Sequence, residues 1–285
     1  MNKKERIKLL IDDSMKPYLY KQNPILFRNY ENLYKQNKLI NLVRQEEFIK
    51  LIKEFPTIIL LKGMELSLNY YKDPGVRPFE DIDILISKRD IKHIEKFFHS
   101  NGYKRFNRAE KLNSFEYYKY PAKFHIHTSL ANAIYPQPYM KTFDMELKDF
   151  TKTELLDGLR YRRLEENFNF LYITFHNLKH NFDSGIRVID IIVVAKFVNW
   201  QIVYDLSQKL KCYNMLITTL NLLFSKEGEE IINKGTRFFK SHSGLDLAIY
   251  LRSNPSVLIS FLPLLSKNIT RQMFPFNTKV DKKNY

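Results

Sequence analysis

The spacing of hydrophobic residues divides the chain into a mixed part and a helical part. Apolar residues recur at helical spacing up to Ile52, and Pro56 ends this run. Beyond it, short apolar or alternating runs bounded by glycine, proline and asparagine predict strands. The predicted strands are 57–61, 82–86, 103–106, 115–120 and 124–130. Helical spacing predicts short helices between the strands, over 64–71 and 91–98.

From Phe168 onward the alternation typical of strands disappears. The predicted helices there are 168–180, 185–198, 201–210 and 213–224, with further helical stretches to Arg252. We therefore predict an α+β fold in three parts. They are an N-terminal helical segment (1–55) packed on the core, an α+β domain (56–150) and a helical C-terminal domain (151–285).

Composition indicates a globular chain with no membrane partner. It has 285 residues, of which 44% are hydrophobic, which is enough for a buried core. The longest apolar run, 188–198, is short and contains Asp190 and Lys196, so it predicts a buried helix rather than a membrane span. No apolar signal core follows the basic start, and the single Cys212 cannot form an internal disulfide. We therefore expect a cytoplasmic protein.

The net charge leaves nucleic-acid binding open. It is +15, from 46 basic and 31 acidic residues, and a basic surface attracts phosphates. The basic residues are spread along the chain without a block of like charges. Their abundance, with that of Asn, Ile, Phe and Tyr, is also typical of an AT-rich genome. Charge alone therefore does not decide between a nucleotide, a nucleic acid and no phosphate ligand.

The most informative motif is the pair Asp81 and Asp83 within Glu80-Asp-Ile-Asp-Ile-Leu-Ile86. Side chains at i and i+2 of a strand point to the same face, so the two carboxylates lie side by side. The isoleucines between them bury the opposite face. Adjacent carboxylates repel each other unless a cation lies between them, and oxygen ligands favour Mg²⁺ or Mn²⁺. The alternative is a solvent-facing acidic pair at a strand end.

Several motifs in order along the chain strengthen this interpretation. They are Leu60-Leu-Lys-Gly63, Arg77, Asp81-Ile-Asp-Ile-Leu-Ile86, Phe124-His-Ile-His-Thr-Ser-Leu130, the helical pattern 171–176 with His180, and 187–190. Over most of its length the chain resembles a bacterial family of mostly uncharacterised nucleotidyltransferases within the polymerase-β-type superfamily. The resemblance implies a nucleotidyltransferase domain, with a small mixed sheet and helices, plus a helical C-terminal module.

The resemblance also implies a reaction and roles for residues. The reaction is metal-dependent transfer of a nucleoside monophosphate from an NTP to a hydroxyl or phosphate. Asp81 and Asp83 match the ligands of Mg²⁺ (or Mn²⁺), and Gly63 matches the turn whose backbone approaches phosphate. Lys62 and Arg77 are the nucleotide-binding candidates that balance the triphosphate charge, although Lys62 also fits a solvated strand end. The acceptor stays open among a small molecule, a sugar phosphate, a peptide product, a protein and tRNA.

The chain departs from the family pattern at the position of a third carboxylate. His125 stands there, and His127 follows on the same strand face. Imidazole ligates transition metals or takes a proton but binds magnesium poorly, so both histidines are auxiliary catalytic candidates. Glu65 and Glu116 are candidate substitutes for the carboxylate. Met64 stands where many superfamily members have serine.

Other functions compete with transfer. The histidine substitution fits a catalytically impaired relative that binds nucleotide or RNA. An Asp-x-Asp motif also occurs in nucleotide-sugar glycosyltransferases, although their series of βα units is missing from the predicted elements. His176 and His180 share a helix face and, with Asp190, fit a metal phosphohydrolase. The simpler interpretation is a polar network of these residues with Arg187, which lines the cleft or pins two helices together.

Overall fold

The computed structural model describes four long stretches of the chain and six residues after them. These are 13–106, 114–130, 147–179 and 184–210, with 212, 213, 216, 217, 219 and 220. Our predictions for His180, for the later helical stretches and for the residues beyond 220 lie outside the described residues.

Helices and strands alternate in the first two thirds of the chain, and helices follow. The helices are α1 (Lys16–Gln22), α2 (Glu31–Glu54), α3 (Lys62–Leu66), α4 (Ile91–Ser100), α5 (Glu166–Lys179), α6 (Gly185–Val194) and α7 (Trp200–Lys209). The strands are β1 (Ile59–Leu61), β2 (Ile82–Leu85), β3 (Lys104–Phe106), β4 (Ser114–Lys119), β5 (Ala122–His127), β6 (Thr151–Leu156) and β7 (Leu159–Leu164). A π-helical turn, Ser67–Tyr71, continues α3.

The strands form one mixed sheet in the order β3-β4-β5-β2-β1-β7-β6. The pairs β2–β5 and β1–β7 are parallel, and the other neighbours are antiparallel. This confirms the predicted α+β class with a mixed sheet. Because β2 and β5 lie in the middle, their backbones are held on both sides, and side chains on them have fixed positions.

Each face of the sheet has its own hydrophobic core. Ile82, Ile84 and Ile86 belong to one cluster, which includes side chains of α2 and α4 such as Phe48 and Phe98. Leu85, which alternates with the isoleucines, belongs to the other cluster, formed mainly with α5, α6 and α7. Asp83 lies two residues before Leu85 and therefore points to the same face of β2, so the predicted alternation of this strand is confirmed. The carboxylate therefore faces the C-terminal helices.

The sheet extends further along the chain than we expected. Strands β6 and β7 form a hairpin, and β7 pairs with β1, although 151–164 fell in the predicted helical domain. The turn is Asp157-Gly158, with φ of 51° and 76°. Positive φ at both residues is typical of the two-residue hairpin turn, and Asp-Gly is its characteristic sequence. The division of the chain into three domains stays a prediction.

The described helices include none with the length and hydropathy that a membrane crossing requires.

Candidate active site

The predicted acidic pair lies at the wall of a cavity. Asp83 is in β2 and Asp81 directly precedes that strand. Both line a cavity of about 520 Å³, together with Lys62, Gly63 and Arg77. A volume of this size lies within the range of small-molecule sites. The structure thus brings five of the seven predicted site residues to one cavity.

The two histidines contact Asp83 without lining that cavity. His127 Nε2 lies 2.8 Å from Asp83 Oδ1, and His125 Nδ1 lies 3.3 Å from the same oxygen. The parallel pairing of β2 with β5 produces this arrangement, because it sets His125 opposite Asp83 in the register. Asp83 and His127 are each 4% exposed, so the contact is buried.

These three side chains form a compact group of potential metal ligands. One ligand atom from each of Asp83, His125 and His127 lies within 4.8 Å of the others. A carboxylate and two imidazoles together ligate divalent ions, so the residues present fit such a site. Asp81, the other predicted ligand, is outside this group, which is the one group of its kind among the described residues. The strand pairing thus supplies ligands that the acidic motif alone did not predict.

Lys62 places a positive charge against the same oxygen. Its Nζ lies 2.7 Å from Asp83 Oδ1 and 3.5 Å from His127 Nε2. Burial would lower the pKa of Lys62, but the charge of Asp83 outweighs burial and raises it, so the ammonium persists. The backbone of Lys62 is left-handed, with φ of 53°, at the junction between β1 and α3. Such a conformation is uncommon for a residue other than glycine and is often found at functional sites.

The environment separates the pKa values of the two aspartates. Burial and the neighbouring charge of Asp83 raise the pKa of Asp81 to about 6. Burial acts on Asp83 in the same direction. The Lys62 charge and hydrogen bonds with both histidines outweigh it and hold the pKa of Asp83 well below its ordinary value. Asp83 is therefore the permanently ionised member of the pair.

His127 is neutral in this environment. Burial, followed by the charge of Lys62, lowers its pKa to about 3. A neutral imidazole has one nitrogen with a free lone pair, which either accepts a proton or ligates a metal.

Gly63 is required by close packing as well as by any ligand. A Cβ at this position would lie 2.6 Å from Phe79 Cβ and 2.9 Å from Arg77 Nη1. A distance below 3.0 Å forces a shift of the neighbours. The glycine thus lets the 77–79 loop approach the start of α3. Its predicted role, backbone approach to phosphate, stays a prediction.

Arg77 lines the cavity but has a protein partner. Its Nε and Nη2 donate to the two carboxylate oxygens of Asp190 in α6, at 3.2 Å and 2.6 Å. Tyr71 also donates to Asp190, at 2.8 Å. Burial would lower the pKa of Arg77, but the charge of Asp190 raises it, so the guanidinium stays charged. A phosphate can bind Arg77 only beside this pair or by opening it.

Neither candidate substitute for the third carboxylate joins the ligand group. Glu65 lies next to Arg163, with Oε1 3.4 Å from Nη1, and accepts a hydrogen bond from Asn169. Glu116 lies opposite His125 in the β4–β5 register but pairs with Lys123 at 3.2 Å. In the ligand group, Asp83 is therefore joined by two histidines and by neither of these glutamates.

Sequence reasoning missed several residues around the site. Asp190 was assigned to a polar network with His176 and Arg187; all three line the cavity, but the partner of Asp190 is Arg77. Arg163 and Tyr71 were not singled out at all. The partners are far apart along the chain, and no local spacing signals such a pair.

Comparisons with known proteins were made for the whole chain. A family model described as "Uncharacterised nucleotidyltransferase" matches residues 15–225. Among solved structures, the chain is similar to the crystal structure of an antigenic nucleotidyltransferase-like protein from Paracoccidioides brasiliensis. The two are 12% identical, with 80% of this chain and 94% of that chain covered and a TM-score of 0.39. A search of curated proteins found no match.

Proposed function

Because the chain belongs to the family of uncharacterised nucleotidyltransferases, we propose that it transfers a nucleoside monophosphate from an NTP to a hydroxyl or phosphate acceptor, with the help of a divalent ion. The observation that carries this proposal is the position of Asp83. It is a buried, ionised carboxylate at the wall of a cavity of about 520 Å³, and it lies next to histidine ligands and a lysine.

Asp83 and Asp81 would hold the ion, which we infer to be Mg²⁺ or Mn²⁺ from the family chemistry. When bound, the ion neutralises charge on the triphosphate and helps to align it for attack. Asp83 is ionised at every pH of interest, whereas Asp81, with a pKa raised to about 6, loses its proton near neutrality. The raised pKa follows from burial next to a second carboxylate, and a cation between the two would remove that repulsion.

Lys62, Gly63 and Arg77 would bind the nucleotide. Lys62 Nζ is already at the cavity wall, and a triphosphate oxygen offers it a second anionic partner. Gly63 presents backbone without a side chain at the same wall. Arg77 is fixed by Asp190, so we assign it chiefly to positioning the loop over Gly63 and to the positive potential of the cavity.

His125 and His127 would be auxiliary catalytic residues. His127 is neutral because its pKa is lowered to about 3, so its lone pair is available to a metal, whereas it is a weak proton acceptor. His125 has a 21% exposed side chain and is therefore the more accessible of the two.

The partners implied are an NTP and an acceptor of unknown class. We retain the cytoplasmic location as a proposal, which rests on the lone Cys212 and on the class of substrate.

Transfer is tested by incubating the full chain with each α-labelled NTP and either Mg²⁺ or Mn²⁺. Small molecules, sugar phosphates, tRNA and the protein itself would be offered as acceptors. Label transfer or pyrophosphate release that falls at least about a hundredfold in Asp83→Asn supports the proposal, because such a loss corresponds to several kcal/mol of transition-state stabilisation. Asp73→Asn is a matched control, since Asp73 pairs with Lys21 and is not among the cavity-lining residues. Activity that survives Asp83→Asn would contradict the proposal.

A second function, nucleotide or RNA binding without catalysis, is favoured by one observation. His125 occupies the register position opposite Asp83, where the family pattern has the third carboxylate. Tight, salt-sensitive RNA binding without any turnover in the same assay would favour this alternative. A nucleotide-sugar glycosyltransferase is disfavoured by the family membership and would show itself by nucleotide-sugar hydrolysis.

A further inference from the structure

The ligand group departs from the all-oxygen site that the reaction class implies. We infer that Asp83, His125 and His127 form a site that selects a first-row transition-metal ion over Mg²⁺, and that Lys62 competes with the ion for Asp83. This inference deepens the proposed function, on which it rests for the role of the ion. It rests on the pairing of β2 with β5, on the distances between the potential ligand atoms and on the chemical identity of those atoms.

The donor geometry is consistent with direct ligation. Metal–nitrogen and metal–oxygen bonds of about 2.1 Å place neighbouring ligand atoms roughly 3 Å apart in tetrahedral or octahedral sites. The distances from Asp83 Oδ1 to His127 Nε2 and His125 Nδ1 are 2.8 Å and 3.3 Å. The two imidazole rings have centroids 4.0 Å apart, so both present nitrogen to the same small volume. A metal ion therefore needs no change in the backbone to be bound by all three.

The chemistry of the donors sets the selectivity. Mg²⁺ takes oxygen ligands and gives up its water reluctantly. The affinity of nitrogen ligands for first-row ions rises from Mn²⁺ through Fe²⁺, Co²⁺ and Ni²⁺ to Cu²⁺ and falls again at Zn²⁺. Two of the three donors in this group are imidazoles. Because β5 lies between β4 and β2, the strand pairing holds the backbone of both histidines next to that of Asp83. The exposed fraction of His125, 21%, leaves an entry for the ion.

In the structure, the ammonium group of Lys62 lies where a metal ion bound to Asp83 would lie. Its Nζ is 2.7 Å from Asp83 Oδ1 and 3.5 Å from His127 Nε2, so an ion bound between those two residues must displace the ammonium. The displaced ammonium has a natural new partner in a triphosphate oxygen. We therefore expect the ion and the NTP to bind with positive coupling, each strengthening the other.

The test is titration of the full chain with Co²⁺, followed by visible absorption, with Mg²⁺ and Zn²⁺ as competitors. We expect Co²⁺ to bind at least about tenfold more tightly than Mg²⁺, with spectral bands of nitrogen ligation. In His125→Asp the ratio of Co²⁺ to Mg²⁺ affinity should fall at least about tenfold, because one imidazole becomes a carboxylate. His125→Asn, which removes the donor without adding charge, provides a second variant if the aspartate impairs folding.

The matched control is His176→Ala. His176 lines the cavity, so it is the alternative source of a nitrogen ligand. The inference is overturned if Mg²⁺ binds as tightly as Co²⁺, if His125→Asp and His125→Asn leave the ratio unchanged, or if His176→Ala abolishes the cobalt spectrum. Selective metal binding without nucleotide transfer would contradict the proposed reaction but support the metal site inferred here. Nucleotide transfer with Mg²⁺, without a preference for Co²⁺ over Mg²⁺ in binding, would support the proposed reaction and contradict this inference.

Discussion

Two buried networks of charged side chains each include a residue of α3. They differ in whether the contacts converge on one atom or are spread over several groups. In the Asp83 network, Lys62, His125 and His127 all converge on one oxygen, Oδ1. In the Arg163 network, the guanidinium distributes its donors over several acceptors. They are Glu65, Glu154, Glu166, Tyr70 and the carbonyl of Leu164.

The difference indicates different roles. Distributed hydrogen bonds satisfy a buried charge from several directions and fix the packing, which is typical of a scaffold. Convergence on one oxygen beside a cavity, with Lys62 in a left-handed conformation, is an arrangement in which one cation can replace another. We therefore expect the Arg163 network to control stability and the Asp83 network to control ligand binding.

The largest effect on stability should come from Arg163→Met. This change removes the hydrogen bonds that the buried guanidinium donates to several acceptors, and leaving buried acceptors without donors costs about 3 kcal/mol or more. Urea unfolding followed by circular dichroism measures the loss. Arg162→Met, on the same strand, is the control, and we expect less than about 1 kcal/mol for it. Equal losses of unfolding free energy in Arg163→Met and Arg162→Met would contradict the proposed role of the Arg163 network in stability.

Gly63→Ala should have the next largest effect, both on stability and on the wall of the cavity. The new Cβ would meet Phe79 Cβ at 2.6 Å, and overpacking of this kind costs roughly 1–3 kcal/mol. Because Arg77 Nη1 is also within 2.9 Å, the loop at the cavity wall should shift and weaken cobalt binding or nucleotide binding as well. Met64→Leu, at the next position, keeps the volume nearly constant and serves as control. Unchanged thermal stability in Gly63→Ala would contradict the packing account.

The smallest effect concerns pH. Burial raises the pKa of Glu65 to about 8, against the opposing effects of the Arg163 charge and the Asn169 hydrogen bond. The folded state therefore retains a proton that the unfolded state loses above its ordinary pKa of 4.5. Stability from this proton is complete below that pKa and is lost as the pH rises towards 8.

Glu65→Gln should remove this dependence. We expect the unfolding free energy of the wild type to fall by roughly 1–2 kcal/mol more than that of the variant between about pH 6.5 and 8. Parallel urea titrations at several pH values measure the difference. Identical pH profiles would show that Glu65 is ionised in the folded protein.

Local patterns were enough to predict the strand that carries the site. Period-two alternation placed Asp81 and Asp83 opposite Ile82 and Ile84, and the structure confirms this arrangement of β2. The hairpin 151–164 was missed because its strands are rich in charge, although Asp157-Gly158 was a usable turn signal. Turn chemistry was the better guide there than hydrophobicity.

The ion pairs of the site were beyond sequence reasoning for a physical reason. Lys62 with Asp83, and Arg77 with Asp190, meet only after the sheet and the C-terminal helices have packed. The sequence supplied the residue types but not their partners. It therefore assigned Arg77 to phosphate, whereas in the structure its donors are occupied by Asp190.

The central claim is that Asp83 binds a divalent ion together with an NTP. Isothermal titration calorimetry of the wild type and Asp83→Asn, with each of the four NTPs in the presence of Mn²⁺ and in EDTA, tests it most directly. We predict uptake of at least one NTP that requires Mn²⁺ and weakens at least about tenfold in the variant. No uptake of any NTP, or uptake that neither EDTA nor the loss of the carboxylate changes, would contradict the account.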